Sequence, residues 1–326
     1  MIILMRSYDV VAIGDALIDI FIRFHRESDD IHTATENCEV CLKLGAKIPI
    51  DHSYMTLGGD GCNVAVGTSR LGLQSALMAE VGDDDFAQKI VKDLQKEHVS
   101  EELLIQTKHT ASTFSIIFSL TSDRTIFSQH VERKHNFDFS NLKTSWIYLT
   151  SLGEDWHKAY DKTLQFVKQH PVKLAFSPGS HQLKEGRESF ADILPVTDIL
   201  FVNREEGERI AYGHEHTIDG PQVHIDTLLA DLKKLGPRIV SVTDSVRGSY
   251  AIDKDGKILS QGTMPSRTVE KTGVGDAYAA GFLAATIHGT SVQDAMKWGA
   301  TNSASVIEHI GATVGLLREK EMKKRV

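Results

Sequence analysis

Two glycine-rich turns, far apart in the chain, carry the side chains with the clearest chemical use. The second of them, Gly273-Val274-Gly275-Asp276, leads into an Ala-rich helix. Backbone N–H groups of such a turn can converge on one point, where the start of the helix adds partial positive charge. We therefore expect an anion hole at residues 273 to 275 and, in Asp276, a base for an attacking hydroxyl group. The pattern indicates phosphoryl transfer to an alcohol, although a plain tight turn with an N-terminal carboxylate would have it too.

The first turn reads Gly58-Gly59-Asp60-Gly61-Cys62-Asn63. Three glycines within four positions let the main chain approach a ligand closely. Asn63 opens the next helix with a side chain that both donates and accepts hydrogen bonds. We expect Gly58, Gly59 and Asn63 to bind a polyol, while a strand-to-helix turn capped by Asn63 is the alternative.

Together, the two turns resemble the signatures of the ribokinase-like (PfkB) family of sugar and nucleoside kinases. The stretch from Gly58 to Gly82 fits the first signature along its whole length. In the second signature, Glu270, Lys271 and Val274 stand where the family has Asp, Thr and Ala, whereas Gly273, Gly275 and Asp276 are kept. The resemblance covers about residues 9 to 315 and implies an ATP-dependent kinase that phosphorylates a hydroxyl group of a small sugar.

The resemblance also implies an acidic residue that binds substrate hydroxyls just after the first strand. Asp19 stands there, and Asp15 lies nearby in the same segment. A carboxylate suits this task because it accepts hydrogen bonds from two neighbouring hydroxyl groups at once. Asp15 could share the role or could be an ordinary turn residue.

A metal site is implied by Asn203 and Glu206, which follow the strand at 199–202 and match the family's Asn-x-x-Glu motif. Magnesium keeps most of its waters in such sites, so we expect these side chains to act indirectly, through water. A capping box has the same sequence pattern. Glu205 competes with Glu206 for the same role.

The nucleotide is expected along the later strands. The resemblance places Thr243 at the end of a strand and Gly248 in a turn beside the phosphates, with Asn302 near the adenine. The Lys271 ammonium could supplement the anion hole or point to solvent. Glu270 replaces an aspartate that helps bind the monovalent cation in potassium-dependent members, so potassium activation is a further expectation.

Composition and charge argue against several classes of function. The chain has 326 residues, 41% of them apolar, with a net charge of −8 and no basic face suited to nucleic acid. No apolar run approaches a membrane span and the opening is too short for a signal peptide, so we expect a cytoplasmic protein. Three cysteines cannot build a disulfide framework or a four-thiolate zinc site, and Cys38 and Cys41 are interpreted as reduced thiols rather than a redox pair.

Strand and helix signals alternate along the chain, which predicts a parallel sheet covered on both faces. Strands are predicted at 10–13, 147–149, 173–176, 199–202 and 239–242, and helices at 62–71, 85–97, 155–169, 204–211, 224–235, 276–288 and 291–309. The resemblance implies a single domain, 1–326, with a three-layer αβα sandwich. Residues 17–56 and 111–131 are predicted to form a small β-sheet lid that excludes water, with a plain hairpin as the alternative for the second segment.

The sequence is also compatible with other functions. A P-loop kinase is excluded, since the chain has no Gly-x-x-x-x-Gly-Lys-Ser/Thr. A nucleoside kinase of the same fold is an alternative, because Phe114, Phe118 and Phe127 could stack on a base. A catalytically silent member that only binds a sugar or nucleotide is another. The resemblance also implies a homodimer formed through the lid.

Overall fold

The computed structural model describes residues 7–24, 31–34, 39–119, 124–213 and 223–326. Cys38 and residues 120–123, within the second predicted lid segment, lie outside the described residues. The strands are β1 (Tyr8–Ile13), β2 (Leu17–Phe24), β3 (Ile31–Ala34), β4 (Glu39–Leu42), β5 (Ile50–Gly58), β6 (Ser75–Met78), β7 (Glu80–Val81), β8 (Ile105–Gln106), β9 (Phe114–Ser119), β10 (Arg124–Gln129), β11 (Thr144–Leu149), β12 (Lys173–Phe176), β13 (Ile199–Asn203), β14 (Ile239–Thr243), β15 (Ser249–Ile252) and β16 (Ile258–Gln261).

The α-helices in the same part of the chain are α1 (Asp60–Arg70), α2 (Asp85–Lys96), α3 (His157–Gln169), α4 (Ser180–Glu185), α5 (Arg204–Tyr212), α6 (Ile225–Lys234), α7 (Val274–Ile287), α8 (Val292–Val306) and α9 (Glu319–Arg325). None of these helices is long and apolar enough to cross a membrane.

The main sheet has eight strands in the order β16-β15-β14-β13-β12-β11-β1-β6. The six strands from β6 to β14 run parallel, and β15 and β16 extend the sheet antiparallel at one edge. Continuous buried runs such as Val10-Val11-Ala12-Ile13 are typical of strands covered on both faces. Because the strands are parallel, the residues that follow β1, β11, β13 and β14 meet at one edge of the sheet.

Alternate residues of β1 supply two separate cores. Val10 and Ala12 pack in the cluster that contains the inner faces of α1, α7 and α8, whereas Val11 and Ile13 pack with α3 and α6. This two-residue period is what a strand between two helical layers requires. The predicted three-layer αβα sandwich with a mainly parallel sheet is confirmed.

A second, smaller sheet is built from both segments that the sequence predicts as β without helices. Its strand order is β10-β9-β2-β5. Strand β2 follows β1 directly and β5 leads into α1, with Leu17 paired to Gly58. Gly59 turns the chain there with φ 93°, and a Cβ at this position would collide with the carbonyl oxygen of Asp15. The small sheet therefore begins at the carboxyl end of β1, where the sequence places the polyol site.

The predicted strands and helices are confirmed, with shifts at their ends. Helix α7 begins at Val274 rather than Asp276, because Gly273 adopts a left-handed conformation (φ 77°) and serves as its N-cap. Helix α8 ends at Val306 rather than at residue 309. The short elements β6, α4 and α9 are not predicted from the sequence, because runs of four to seven residues give weak periodicity.

Candidate active site

The two glycine-rich turns meet at a single hydrogen bond. The Nδ2 group of Asn63, in the first turns of α1, donates to Oδ2 of Asp276 in the first turn of α7, at 2.8 Å. The helices approach closely because Gly67 of α1 faces Ala280 of α7, where a Cβ on the glycine would lie 2.6 Å from the alanine Cβ. Residues separated by 213 positions in sequence thus share one site.

The glycines of the first turn serve close packing against the end of β1. A Cβ on Gly61 would lie 2.7 Å from the Cα of Gly14, and the amide of Cys62 donates to the Asp15 carbonyl oxygen at 3.2 Å. A Cβ on Gly58 would collide with the carboxylate of Asp19. The structure therefore brings Gly58 and Gly59 together with Asp15 and Asp19, as the sequence predicts.

Of the three amides at residues 273 to 275 that are predicted to form an anion hole, one is engaged within the turn. The Val274 amide donates to the Lys271 carbonyl oxygen at 3.4 Å and so closes the turn. Within the described residues, the amides of Gly275 and Asp276 have no main-chain acceptor. Open space lies in front of the Cα of Gly275. The amides at 275 and 276 stand at the start of α7, where the helix carries partial positive charge that favours an anion.

Carboxyl groups dominate the electrostatics of the site. Burial raises the pKa of Asp276 well above its ordinary value, the charge of Asp60 raises it further, and the hydrogen bond from Asn63 lowers it in part. Burial and then Asp60 also raise the pKa values of Asp15 and Asp19, each to about 7. Asp60, which the sequence prediction does not name, is the group whose charge raises all three pKa values. Its spacing from Asn63, three residues along one helix face, is the signal that could have found it.

Asn203 and Glu206 form the capping box that was the alternative to a metal site. The Asn203 side-chain oxygen accepts from the Glu206 amide at 2.9 Å, and Oε2 of Glu206 accepts from the Asn203 amide at 2.8 Å. Burial raises the pKa of Glu206 to about 7. The charge of Glu206 also raises the pKa of Asp276. No group of three or more potential metal ligands of the His, Cys, Asp or Glu type occurs in the described part of the chain.

A cavity of about 550 Å³ adjoins the anion hole on the side of β14. Five predicted residues line it, namely Thr243, Gly248, Lys271, Val274 and Gly275. The turn between β14 and β15 adds Ser245, Val246 and Ser249, and most of the remaining wall comes from the segment 262–268 after β16 and from α7 and α8, which the sequence prediction did not include. Pro265 within that segment marks a non-strand stretch, and this was the available signal.

Asn302, which is predicted to contact the nucleotide, does not line this cavity. This side chain is completely buried, and its amide bridges two main-chain segments. It donates to the Ala277 carbonyl oxygen at 2.8 Å and accepts from the Leu317 amide at 3.0 Å. The residues that α8 presents to the cavity are Ala300, Ser303, Ala304 and Ile307.

Glu270 shapes the turn before the anion hole. Its Oε1 atom accepts hydrogen bonds from the amides of Lys271 and Thr272, at 2.8 and 3.0 Å, and from the Thr272 hydroxyl at 2.9 Å. The same oxygen lies 3.6 Å from Nε of Arg124 at the start of β10. This carboxylate thus links the small sheet to the phosphate side of the site.

Comparison with known proteins agrees with this geometry. A family model described as pfkB family carbohydrate kinase matches residues 28–319. An ATP-dependent 6-phosphofructokinase of Thermoanaerobacterium thermosaccharolyticum is 24% identical over 95% of this chain and 91% of its own length. A nucleoside kinase of Methanocaldococcus jannaschii is 25% identical over 87% of this chain and 91% of its own length.

Solved structures show the same fold. The crystal structure of the Methanocaldococcus jannaschii nucleoside kinase superposes with a TM-score of 0.77 at 22% identity, covering 97% of both chains. The ribokinase of Thermotoga maritima gives a TM-score of 0.76 at 18% identity, covering 97% of this chain and 98% of the ribokinase.

Proposed function

Since the chain belongs to the PfkB family of carbohydrate kinases, we propose that it transfers the γ-phosphate of ATP to a hydroxyl group of a small sugar. The observation that carries this proposal is the 2.8 Å hydrogen bond between Asn63 and Asp276. It joins a helix start suited to binding a polyol to a helix start suited to binding a phosphate. Phosphoryl transfer needs these two ligands side by side.

Asp276 is the proposed base. Its raised pKa suits a carboxylate that must take a proton from an alcohol, and Asn63 holds it in one orientation. As the acceptor oxygen forms its bond to the γ-phosphorus, the bond to the bridging oxygen breaks and ADP leaves. The proton of the hydroxyl passes to Asp276. The amides of Gly275 and Asp276 stabilise the charge on the transferred group.

The 550 Å³ cavity is the proposed nucleotide site, with Thr243, Gly248 and Lys271 in its wall. Glu206 fits a magnesium ion held mainly by phosphates, because only one of its carboxylate oxygens takes part in the capping box. The side-chain oxygen of Asn203 is used within the capping box, where it accepts from the Glu206 amide. When bound, magnesium would offset phosphate charge. Potassium activation stays a prediction, and Glu270 already has its turn and Arg124 as partners.

We further propose that one kinase domain spans the chain and that the small sheet is its lid. Asp19 on β2 and Arg124 on β10 support this, since both stand near the site. Exposed apolar side chains on the outer strands β5 and β10 support a homodimer through the lid: Ile50, Tyr54, Met55, Ile126 and Phe127. Light scattering should give a molar mass twice that of one chain. The variant Met55→Lys should give the mass of a single chain, because a charge would replace an apolar side chain of the interface.

A nucleoside acceptor is the second candidate. Phe118 and Phe127 form an edge-to-face pair on the small sheet, with ring centroids 5.0 Å apart, and Phe127 is 54% exposed. Such a ring could stack on a base. A silent family member is disfavoured because Asp276, the proposed base, is present and is held by Asn63.

Release of ADP in a coupled assay over pentoses, hexoses, their phosphates and nucleosides tests the proposal. We expect turnover with a sugar and a drop in kcat of at least ~100-fold in Asp276→Asn, because the base is lost while the shape is kept. Asp85→Asn is the matched control, since Asp85 also stands in the first turn of a helix but is exposed. Near-normal turnover by Asp276→Asn would reject the assigned base, and a preference for nucleosides would replace the sugar.

A further inference from the structure

Glu270 is a buried carboxylate with an arginine of the small sheet beside it. It is 3% exposed, and its Oε1 atom lies 3.6 Å from Nε of Arg124. Arg124 is the first residue of β10, which pairs with β9 in the small sheet. Glu270 lies in the turn that leads to Gly273, the N-cap of α7. The ion pair therefore joins the small sheet to the turn in front of the proposed phosphate site.

The buried charge of Glu270 needs a cation. Oε1 accepts hydrogen bonds from the amides of Lys271 and Thr272 and from the Thr272 hydroxyl group. These donors are neutral, so they satisfy the oxygen atom but do not balance its charge. A buried carboxylate without a counter-charge is strongly unfavourable. In potassium-dependent relatives this balance is expected from a monovalent ion.

A potassium ion does not fit beside Glu270, because fixed positive charge is already there. The guanidinium group of Arg124 stays charged at every pH at which the protein is folded. Lys271, which follows Glu270 in the chain, adds a second fixed charge and lines the cavity of about 550 Å³. An ion bound at Glu270 would be repelled by the guanidinium group across a partly buried space, where water screens charges poorly.

The contact between Arg124 and Glu270 resembles that of a bound ion more than a directed hydrogen bond. At 3.6 Å the two atoms are too far apart for a hydrogen bond, and the Nε group is buried without a hydrogen-bond partner in the described part of the chain. Leaving this donor unsatisfied is costly. The attraction between the two charges offsets that cost, so the charge of Arg124 is what this position uses.

We infer that Arg124 is a positioning residue whose guanidinium group supplies, from the small sheet, the positive charge that a monovalent cation would bring to Glu270, and that phosphoryl transfer is independent of potassium. This inference rests on the proposed function. It runs against the potassium activation that the resemblance predicts, and a comparison of salts decides between the two. The fixed charge holds the turn before α7 without an ion that can dissociate.

Chlorides of potassium, sodium and tetramethylammonium at equal ionic strength test the natural full chain. We expect the rate of ADP release to agree within ~2-fold in the three salts, and Tm with ATP analogue and magnesium to agree as well, since an ion that binds the folded state would raise it. A rate at least ~5-fold higher in potassium than in tetramethylammonium, or a Tm raised by potassium alone, overturns the inference.

Arg124→Ala removes the charge and opens space for an ion, so this variant should respond to potassium. In tetramethylammonium chloride we expect a lower Tm and a KM for ATP raised ~3- to 30-fold, because a buried carboxylate loses its partner. Potassium chloride should recover part of both losses. Arg23→Ala is the matched control, since Arg23 also stands on a strand of the small sheet but is exposed, and it should show neither loss.

Arg124→Lys keeps the charge on a different head group and should match the natural protein in all three salts, which also tests the inference if Arg124→Ala does not fold. A potassium response in Arg124→Lys contradicts it. A lower Tm in Arg124→Ala without recovery by potassium would identify a purely structural ion pair and overturn the inference, as would unchanged behaviour of this variant.

The two proposals fail in different ways. Absence of ADP release with every acceptor would reject the kinase assignment, and the Tm measurements would still decide on Arg124. Potassium-dependent ADP release by the natural protein would reject the role of Arg124 and leave the kinase assignment standing.

Discussion

Replacing Asp19 by Asn should make the free protein more stable at alkaline pH. Asp19 lies on β2, an inner strand of the small sheet, and is almost completely buried. Burial is the main cause that raises its pKa from 3.8 to about 7, followed by the charges of Asp60 and Glu270, and Arg124 offsets only part of this. The folded protein therefore resists ionisation of this carboxyl group more than the unfolded chain does.

The size of the effect follows from the shift. A group with a raised folded-state pKa contributes stability below pH 3.8 and loses it as the pH rises through 7. A shift of about 3 pKa units corresponds to at most about 4 kcal/mol, since each unit is worth about 1.4 kcal/mol. Asn cannot ionise, so Asp19→Asn should gain roughly 1–4 kcal/mol over the natural protein at pH 8 and little or nothing at pH 4.

Urea unfolding at pH 4 and pH 8 measures the difference. The matched control is Asp84→Asn, which should lose stability at pH 8. Burial would raise the pKa of Asp84, but hydrogen bonds from Ser112 and Ala87 outweigh it and lower the pKa. Asp19→Asn should also raise KM for the acceptor, as expected for a residue kept for binding at a cost in stability. A loss of stability at pH 8, or a gain of equal size at both pH values, would refute the reasoning.

Three further predictions concern neighbouring positions. Asn63→Ala removes the bond that lowers the pKa of Asp276 against the effect of burial, so the acid limb of kcat/KM should move to higher pH and its plateau should fall ~10- to 100-fold. Asn302→Ala should lower the free energy of unfolding by about 1–3 kcal/mol in a urea titration and leave KM for ATP unchanged. Gly61→Ala should cost about 1–3 kcal/mol, seen as a lower Tm, because its Cβ would press on the Gly14 main chain; an unchanged Tm contradicts that packing.

The sequence predicts the main layers of this fold because the signals are strong there. Five buried runs and seven amphipathic or small-residue patterns are long enough to be recognised, and the alternation between them sets the parallel sheet. Element ends are less well predicted. The start of α7 depends on the left-handed conformation of Gly273, which sequence patterns do not specify.

The candidate site divides in a similar way. A backbone position that requires glycine, such as Gly59 with its positive φ, is predicted from its residue type alone. The contacts that a side chain makes are not predicted in this way. Asn302 stands on a small-residue helix, where the sequence predicts a nucleotide contact. In the structure its side-chain nitrogen donates to one main-chain carbonyl group and its side-chain oxygen accepts from one main-chain amide.

Asp60 and Asn63 show why the remainder needs the structure. Each of them alone is an ordinary first-turn residue of a helix, for which capping and solvation are sufficient explanations. Only the packing of α1 on α7 shows that Asn63 is turned to Asp276, with its second polar atom unpartnered. The charge of Asp60 raises the pKa values of carboxyl groups on four other segments. The proposed chemistry thus depends on the contact between two helices. A bulky residue at Gly67 would separate α1 from α7 and should abolish activity while the main sheet stays folded.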